Sequence, residues 1–127
     1  MTDRLFLDTH AVIWLAEGQS NKFSHKGHDL LSKRRLLISP MVRLELNYLK
    51  QKLRFNEEPD VTLAMLRDQI NLQVDELPLN TIIGTSLNMN WTRDVFDLLI
   101  TAQAKYYNCP LLTKDRKITA YYQKAKW

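Results

Sequence analysis

The sequence predicts an α/β fold of three layers, with helices on both sides of a short, mostly parallel central sheet. Three observations carry that expectation. Short apolar runs at Arg4–Leu7, Leu36–Ser39 and Cys109–Thr113, and an alternating one at Leu72–Leu77, have strand length and strand patterning. Between them lie stretches with helical periodicity and helix-start signals, the alternation expected of parallel βαβ units. Gly 3 and Pro 4 leave little material for linkers, and no repeat, low-complexity segment or composition break divides the 127 residues, so 1–127 reads as one domain.

The elements follow in order. The first strand ends at Asp8, and Asp8 or Thr9 can cap a helix through Ala11–Ala16 that Gly18 closes. After a polar loop, Ser24 can cap a basic helix reaching Arg35. The second strand stops at Pro40, which suits the first position of a helix running to Arg54, with Val42, Leu46, Leu49 and Leu53 as its apolar stripe. Pro59 and Asp60 open a helix to Asn71 with Leu63, Leu66 and Ile70 inward. The run Leu72–Leu77 alternates like a strand with one wet face at the sheet edge, and a short helix covers Thr81–Leu87. Asp94 caps a helix from Val95 to Tyr107, with Asp97 three residues on as in a capping box, and Asn108 ends it. A fourth strand, a short helix over Arg116–Tyr122 and at most a very short fifth strand complete the chain.

The net charge of +4 is modest but unevenly spread. Residues 18–56 hold nine Lys/Arg against Asp29 and Glu45, a local +7, and residues 57–76 hold Arg67 against six acids, a local −5. Residues 77–127 hold seven Lys/Arg against only Asp94, Asp97 and Asp115. A basic surface around a few carboxylates suits a polyanionic substrate. No run of about 18 uncharged apolar residues suggests a membrane span, and Met1–Arg4 runs straight into a strand without the layout of a secretory signal. The single cysteine, Cys109, has no partner for a bridge or a zinc cluster, so a reducing, cytoplasmic address is expected.

Four carboxylates stand out together. Ligands of open parallel sheets bind beyond the carboxyl ends of the strands. Asp8 ends the first strand and Asp115 lies just past the fourth, while Glu45 and Asp97 fall near the N-termini of helices that share that edge. As a lone residue Asp8 would read as a cap, yet it closes a deeply apolar run where an unpaired charge is costly. Glu45 has Met41, Val42, Tyr48 and Leu49 at its i±3 and i±4 positions, so it lies on an apolar stripe; the bland alternative pairs it with Arg43 or a nearby lysine. Asp97 and Asp94 can both favour a helix N-terminus; Asp94, the cap, is the auxiliary of the two. Oxygen-only clusters select Mg²⁺ or Mn²⁺ rather than zinc, and a metal so held can activate water and offset charge on a phosphodiester under attack. Crowded acids repel, so metal is expected to stabilise the fold. His25 and His28 read as a solvated face, His10 lacks a companion for zinc, and the aromatic residues read mostly as core, with Trp91 the one open to base stacking.

The segments Leu7-Asp8-Thr9-His10 with Ala11-Val12-Ile13-Trp14, Ser39 to Glu45, Arg93-Asp94-Val95-Phe96-Asp97-Leu98-Leu99-Ile100, and Leu111-Leu112-Thr113-Lys114-Asp115-Arg116 resemble a PIN domain, and more narrowly a VapC-type toxin of bacterial toxin–antitoxin pairs. The resemblance spans essentially the whole chain in order. It implies an Mg²⁺/Mn²⁺-dependent endoribonuclease with Asp8, Glu45, Asp97 and Asp115 at the acidic positions. Ser39 and Thr113 would be supporting hydroxyls, with Thr9 joining them, and Asp94 an additional acid. It also implies RNA as substrate, transfer RNA being common, a homodimer, and inhibition by a small antitoxin protein that inserts a segment at the site. Val95 stands where this subgroup often has proline and Leu98 where it often has arginine; neither change removes a carboxylate. Two rival readings remain distinct in kind. A phosphatase with Asp8 as nucleophile usually wants a second acid two residues on, where His10 stands. A catalytically inactive RNA- or partner-binding module would keep RNA affinity after Asp8→Asn, whereas an enzyme would lose cleavage.

Overall fold

In the computed structural model, residues 3–52 and 55–127 are described; Met1, Thr2, the stripe position Leu53 and the expected helix end at Arg54 lie outside them. The strands are β1 (Arg4–Leu7), β2 (Arg35–Ile38), β3 (Gln73–Val74), β4 (Leu111–Leu112) and β5 (Ala125–Lys126). They form one sheet in the order β3-β2-β1-β4-β5, and every pairing is parallel. Successive residues of a strand point to opposite faces. Leu5, Phe6 and Leu7 of β1, and Leu111 and Leu112 of β4, are all fully buried, so helices cover both faces of the sheet centre. On one face Phe6 stacks on Tyr107, with ring centroids 5.6 Å apart.

The helices are α1 (Thr9–Ala16), α2 (His25–Lys33), α3 (Pro40–Gln51), α4 (Pro59–Ile70), α5 (Leu79–Ser86), α6 (Val95–Tyr107) and α7 (Arg116–Tyr121). Their ends have local causes. Ser24 and Ser39 accept hydrogen bonds from the amides of Gly27 and Met41, capping α2 and α3. Pro40 and Pro59 take the first positions of α3 and α4. Asn71 and Asn108 close α4 and α6 in the left-handed conformation at φ 57° and 55°.

Several expectations need correction. The third strand shrinks to Gln73–Val74, because beyond Asp75, whose amide donates to Ile38, the chain has left the pairing range of β2. It is nonetheless the edge strand. The fourth strand is likewise shorter, with Cys109, Pro110 and Thr113 flanking it, and α5 begins two residues early, at Leu79. Ile70, expected inward, lies 37% exposed in the last turn of α4. Tyr48 and Tyr106, expected in the core, are about half exposed.

Candidate active site

The strand order reverses at β1. Its neighbours are β2 on one side and β4 on the other, so the chain leaves β1 and β4 in diverging directions and opens a crevice at their carboxyl ends. Leu7 pairs with Leu112, so Asp8 and Thr113 face each other one residue further on. The amide of Asp8 donates to the carbonyl of Leu112 at 3.0 Å. Above that bond the Thr113 hydroxyl donates to Asp8 Oδ2 at 2.6 Å, and the amide of Thr9 donates to Oδ1 at 2.7 Å. Asp8 is 6% exposed and fixed at both oxygens.

A cleft of about 430 Å³ opens over this point, lined by Asp8, Glu45, Asp94, Asp97 and Asp115 together with His10, Trp14 and Lys114. The fold thus brings all four sequence-predicted acids, and Asp94, to one place. Glu45 accepts from the Thr9 hydroxyl at 2.5 Å. Arg43, its alternative partner, instead grips Asp60 with two hydrogen bonds of 2.7 and 2.8 Å. Asp94 caps α6 by accepting from the amide of Asp97. The return half of the expected capping box is not made: the Asp94 amide donates to the Thr92 hydroxyl, which leaves the Asp97 carboxylate to the cleft. Asp115 caps α7 by accepting from the Ile118 amide, and its own amide donates to Thr113. Ser39 is fully buried at the head of α3, where its hydroxyl caps the helix that carries Glu45.

Electrostatically the cleft is under strain. Burial, and then the charges of Asp94, Asp115, Asp8 and Glu45, push the Asp97 carboxyl up to about 7. Burial raises Glu45, with the Thr9 hydrogen bond pulling down and Asp8 and Asp94 pushing further up. Burial also raises Asp8, against the hydrogen bonds from Thr113 and from the Thr9 amide. Among the described residues no lysine, arginine or histidine forms an ion pair with any of these acids. As placed, no three described carboxylates converge closely enough to share one ion. The fit to a hard divalent cation therefore rests on the donor type, all oxygen, and on the charge crowded into one cleft. The groove between α3 and α4 is larger, about 500 Å³, but its Arg43 and Asp60 neutralise each other.

Trp91 and Asp75 sit differently from what the sequence suggests. Trp91 does not line the cleft; its ring stacks on Tyr121 at 5.0 Å in the core beside α6. The tryptophan on the cleft wall is Trp14, whose other side packs against the core. Leu98 packs against the cluster of Ile82, Met89, Leu99 and Ala102, so it fills apolar space. Sequence reasoning missed Asp75, which it left among the surface acids. It accepts from Gln103 Nε2 and Tyr107 OH, both at 2.8 Å, and from the Leu77 amide.

A doubly covered, all-parallel sheet with a carboxylate cleft at its switch point defines a class of α/β proteins built around an acidic centre. The chain belongs to the PIN-domain family, whose model matches residues 5–124. Among solved structures it is similar to a chain of VapBC2 from Rickettsia felis, crystallised bound to a DNA fragment from the promoter, at 17% identity and TM-score 0.69 over 98% of this chain and 97% of that one. It is also similar to a chain of VapBC-1 from nontypeable Haemophilus influenzae, at 20% identity and TM-score 0.66 over 98% and 96%. No curated protein matches it in sequence. Among the described residues no helix is long and apolar enough to cross a membrane.

Proposed function

We propose that this chain is a metal-dependent endoribonuclease that hydrolyses RNA phosphodiester bonds and acts as the toxin of a type II toxin–antitoxin pair. The observation that carries the reading is the gathering of Asp8, Glu45, Asp94, Asp97 and Asp115 round one cleft, with no ion pair to any of them among the described residues. Asp8, Glu45, Asp97 and Asp115 are the residues that would hold Mg²⁺ or Mn²⁺. A bound ion of this kind supplies an activated water and offsets charge on the attacked phosphate. The protein's own part is positioning. Thr113 and the Thr9 amide fix both oxygens of Asp8, and the Thr9 hydroxyl ties Glu45 to the same corner. Ser39 anchors the helix from which Glu45 projects. Lys114 on the cleft wall and Lys22 over the Trp14 ring beside it give an RNA strand a favourable approach to an otherwise negative cleft.

Phosphoryl transfer to Asp8 is a poorer account, because a 6% exposed carboxylate with both oxygens engaged is badly placed to attack. The two solved structures named above are VapBC assemblies, which supports a small protein partner for this chain, as the resemblance to VapC-type toxins does. The direct test is cleavage of a mixed cellular RNA pool by purified protein with Mn²⁺ or with EDTA, beside Asp8→Asn. Cutting that needs metal and disappears in the variant is the expected result. Failure of partner-free, metal-loaded protein to cut any RNA would favour a binding module instead.

A further inference from the structure

The wall of the cleft that carries no acid is built from His10, Trp14 and Lys114. Trp14 is half-buried and is held from behind. Its ring meets Trp127 edge-on at 5.2 Å and Phe23 at 6.5 Å, while His10, exposed at the mouth, lies 5.9 Å from it at a 49° tilt. Trp127 is itself fixed: its indole N–H donates to the Lys22 carbonyl at 2.8 Å, and its own carbonyl accepts from Ser24. Gly27 lets it sit there, since a Cβ on Gly27 would stand 3.1 Å from the Trp127 carbonyl carbon. Two exposed cations lie over these rings. Lys22 Nζ lies 5.7 Å from the Trp14 ring and Lys114 Nζ 5.7 Å from the Trp127 ring.

We propose that Trp14, with His10 beside it and Lys114 on the same cleft wall, forms a subsite that stacks one unpaired nucleobase next to the phosphodiester held in the acid cleft, the base taking the place over the ring that the exposed Lys22 ammonium now holds. This rests on the nuclease reading and deepens it by naming how the strand is gripped. An aromatic face fixed from behind stacks a base at little entropic cost, and every base offers a π-face. The exposed ammonium groups of Lys22 and Lys114 carry the charge opposite to the strand's phosphates. The subsite therefore takes single-stranded RNA, because a paired base has both faces occupied.

The test uses the full chain carrying Asp8→Asn, so that RNA is not consumed, with Mn²⁺ present and a short mixed-sequence oligoribonucleotide as probe. Trp14→Leu should weaken binding about tenfold or more, and Trp14→Phe much less. In the cleavage-competent background Trp14→Leu should raise KM with kcat little changed, the signature of a lost ground-state contact. Because Trp14 also packs on Phe23 and Trp127, a second arm leaves the protein untouched: an abasic oligoribonucleotide should bind the Trp14-bearing protein as weakly as the complete one binds Trp14→Leu. Equal affinity for abasic and complete RNA overturns the subsite. So does a folded Trp14→Leu that binds RNA normally; the wall would then serve the core or a protein partner. Absence of RNA binding to any variant, wild type included, removes the nuclease reading and this subsite together.

Discussion

Asp75 and Asp97 are both partly buried acids on the same side of the molecule's sequence, yet their surroundings are opposites. Asp75 is met by donors: Gln103, Tyr107 and the Leu77 amide all point hydrogens at it. Burial, with the bond to Asp75 next, pushes the Tyr107 hydroxyl up to about 12, so it remains a donor at any physiological pH. Asp97 is met by burial and four other carboxylates, which push it up to about 7. A buried charge that is satisfied belongs to the fold, and one left in company with like charges marks a site for something absent from the chain itself. The contrast separates a structural acid from a functional one without reference to either residue's identity.

The largest effect expected on this account is a split between two substitutions. Asp8→Asn should reduce RNA cleavage to background while leaving the fold intact, as read by circular dichroism. Asp75→Ala should leave cleavage near wild type but cost about 1–3 kcal/mol in urea unfolding, because Gln103 and Tyr107 lose their acceptor. Activity lost equally in both would erase the distinction. A smaller effect is expected at the hydroxyl that orients Asp8: Thr113→Val should lower cleavage about 10–100-fold, the usual cost of removing a ligand's supporting hydrogen bond. Unchanged activity would mean that strand pairing alone positions Asp8.

The pH dependence sharpens the comparison further. Asp97 has an ordinary value of 3.8 and is raised to about 7 in the folded chain. Between those values the folded protein keeps a proton that the unfolded chain has released, so stability falls as pH rises through the window and levels off above it. Metal-free protein should therefore melt roughly 2–4 °C higher at about pH 5 than at about pH 7.5, and Asp97→Asn should flatten that profile. A melting temperature that rises with pH over this range would contradict the crowding argument. The smallest effect belongs to Arg43 and Asp60, an exposed ion pair; Asp60→Asn should change neither activity nor unfolding measurably.

Much of this was legible in the sequence where the signal is local. Ser39-Pro40, Ser24 and Asp94 mark helix starts through their own side chains, and Asn71 and Asn108 mark ends through their tolerance of positive φ. The four acids could be placed on one rim because strand ends and helix starts share an edge in any parallel sheet. What failed needed distant partners. Asp75 sits 28 and 32 residues from Gln103 and Tyr107, so nothing near it in sequence distinguishes it from a surface acid. Trp91, open to base stacking on the sequence, is turned to Tyr121 for the same reason, and it is Trp14 that lines the cleft. The third strand shortened because β2, its neighbour among the described strands, sets how far pairing can run.

The claim at the centre of this account, that the crowded carboxylates exist to hold a cation, is tested most directly by Mn²⁺ binding in isothermal titration calorimetry. Wild type and Asp75→Ala should bind alike, and Asp8→Asn and Asp97→Asn should each bind at least about tenfold more weakly. Equal Mn²⁺ affinity in all four proteins, or none in wild type, would contradict it.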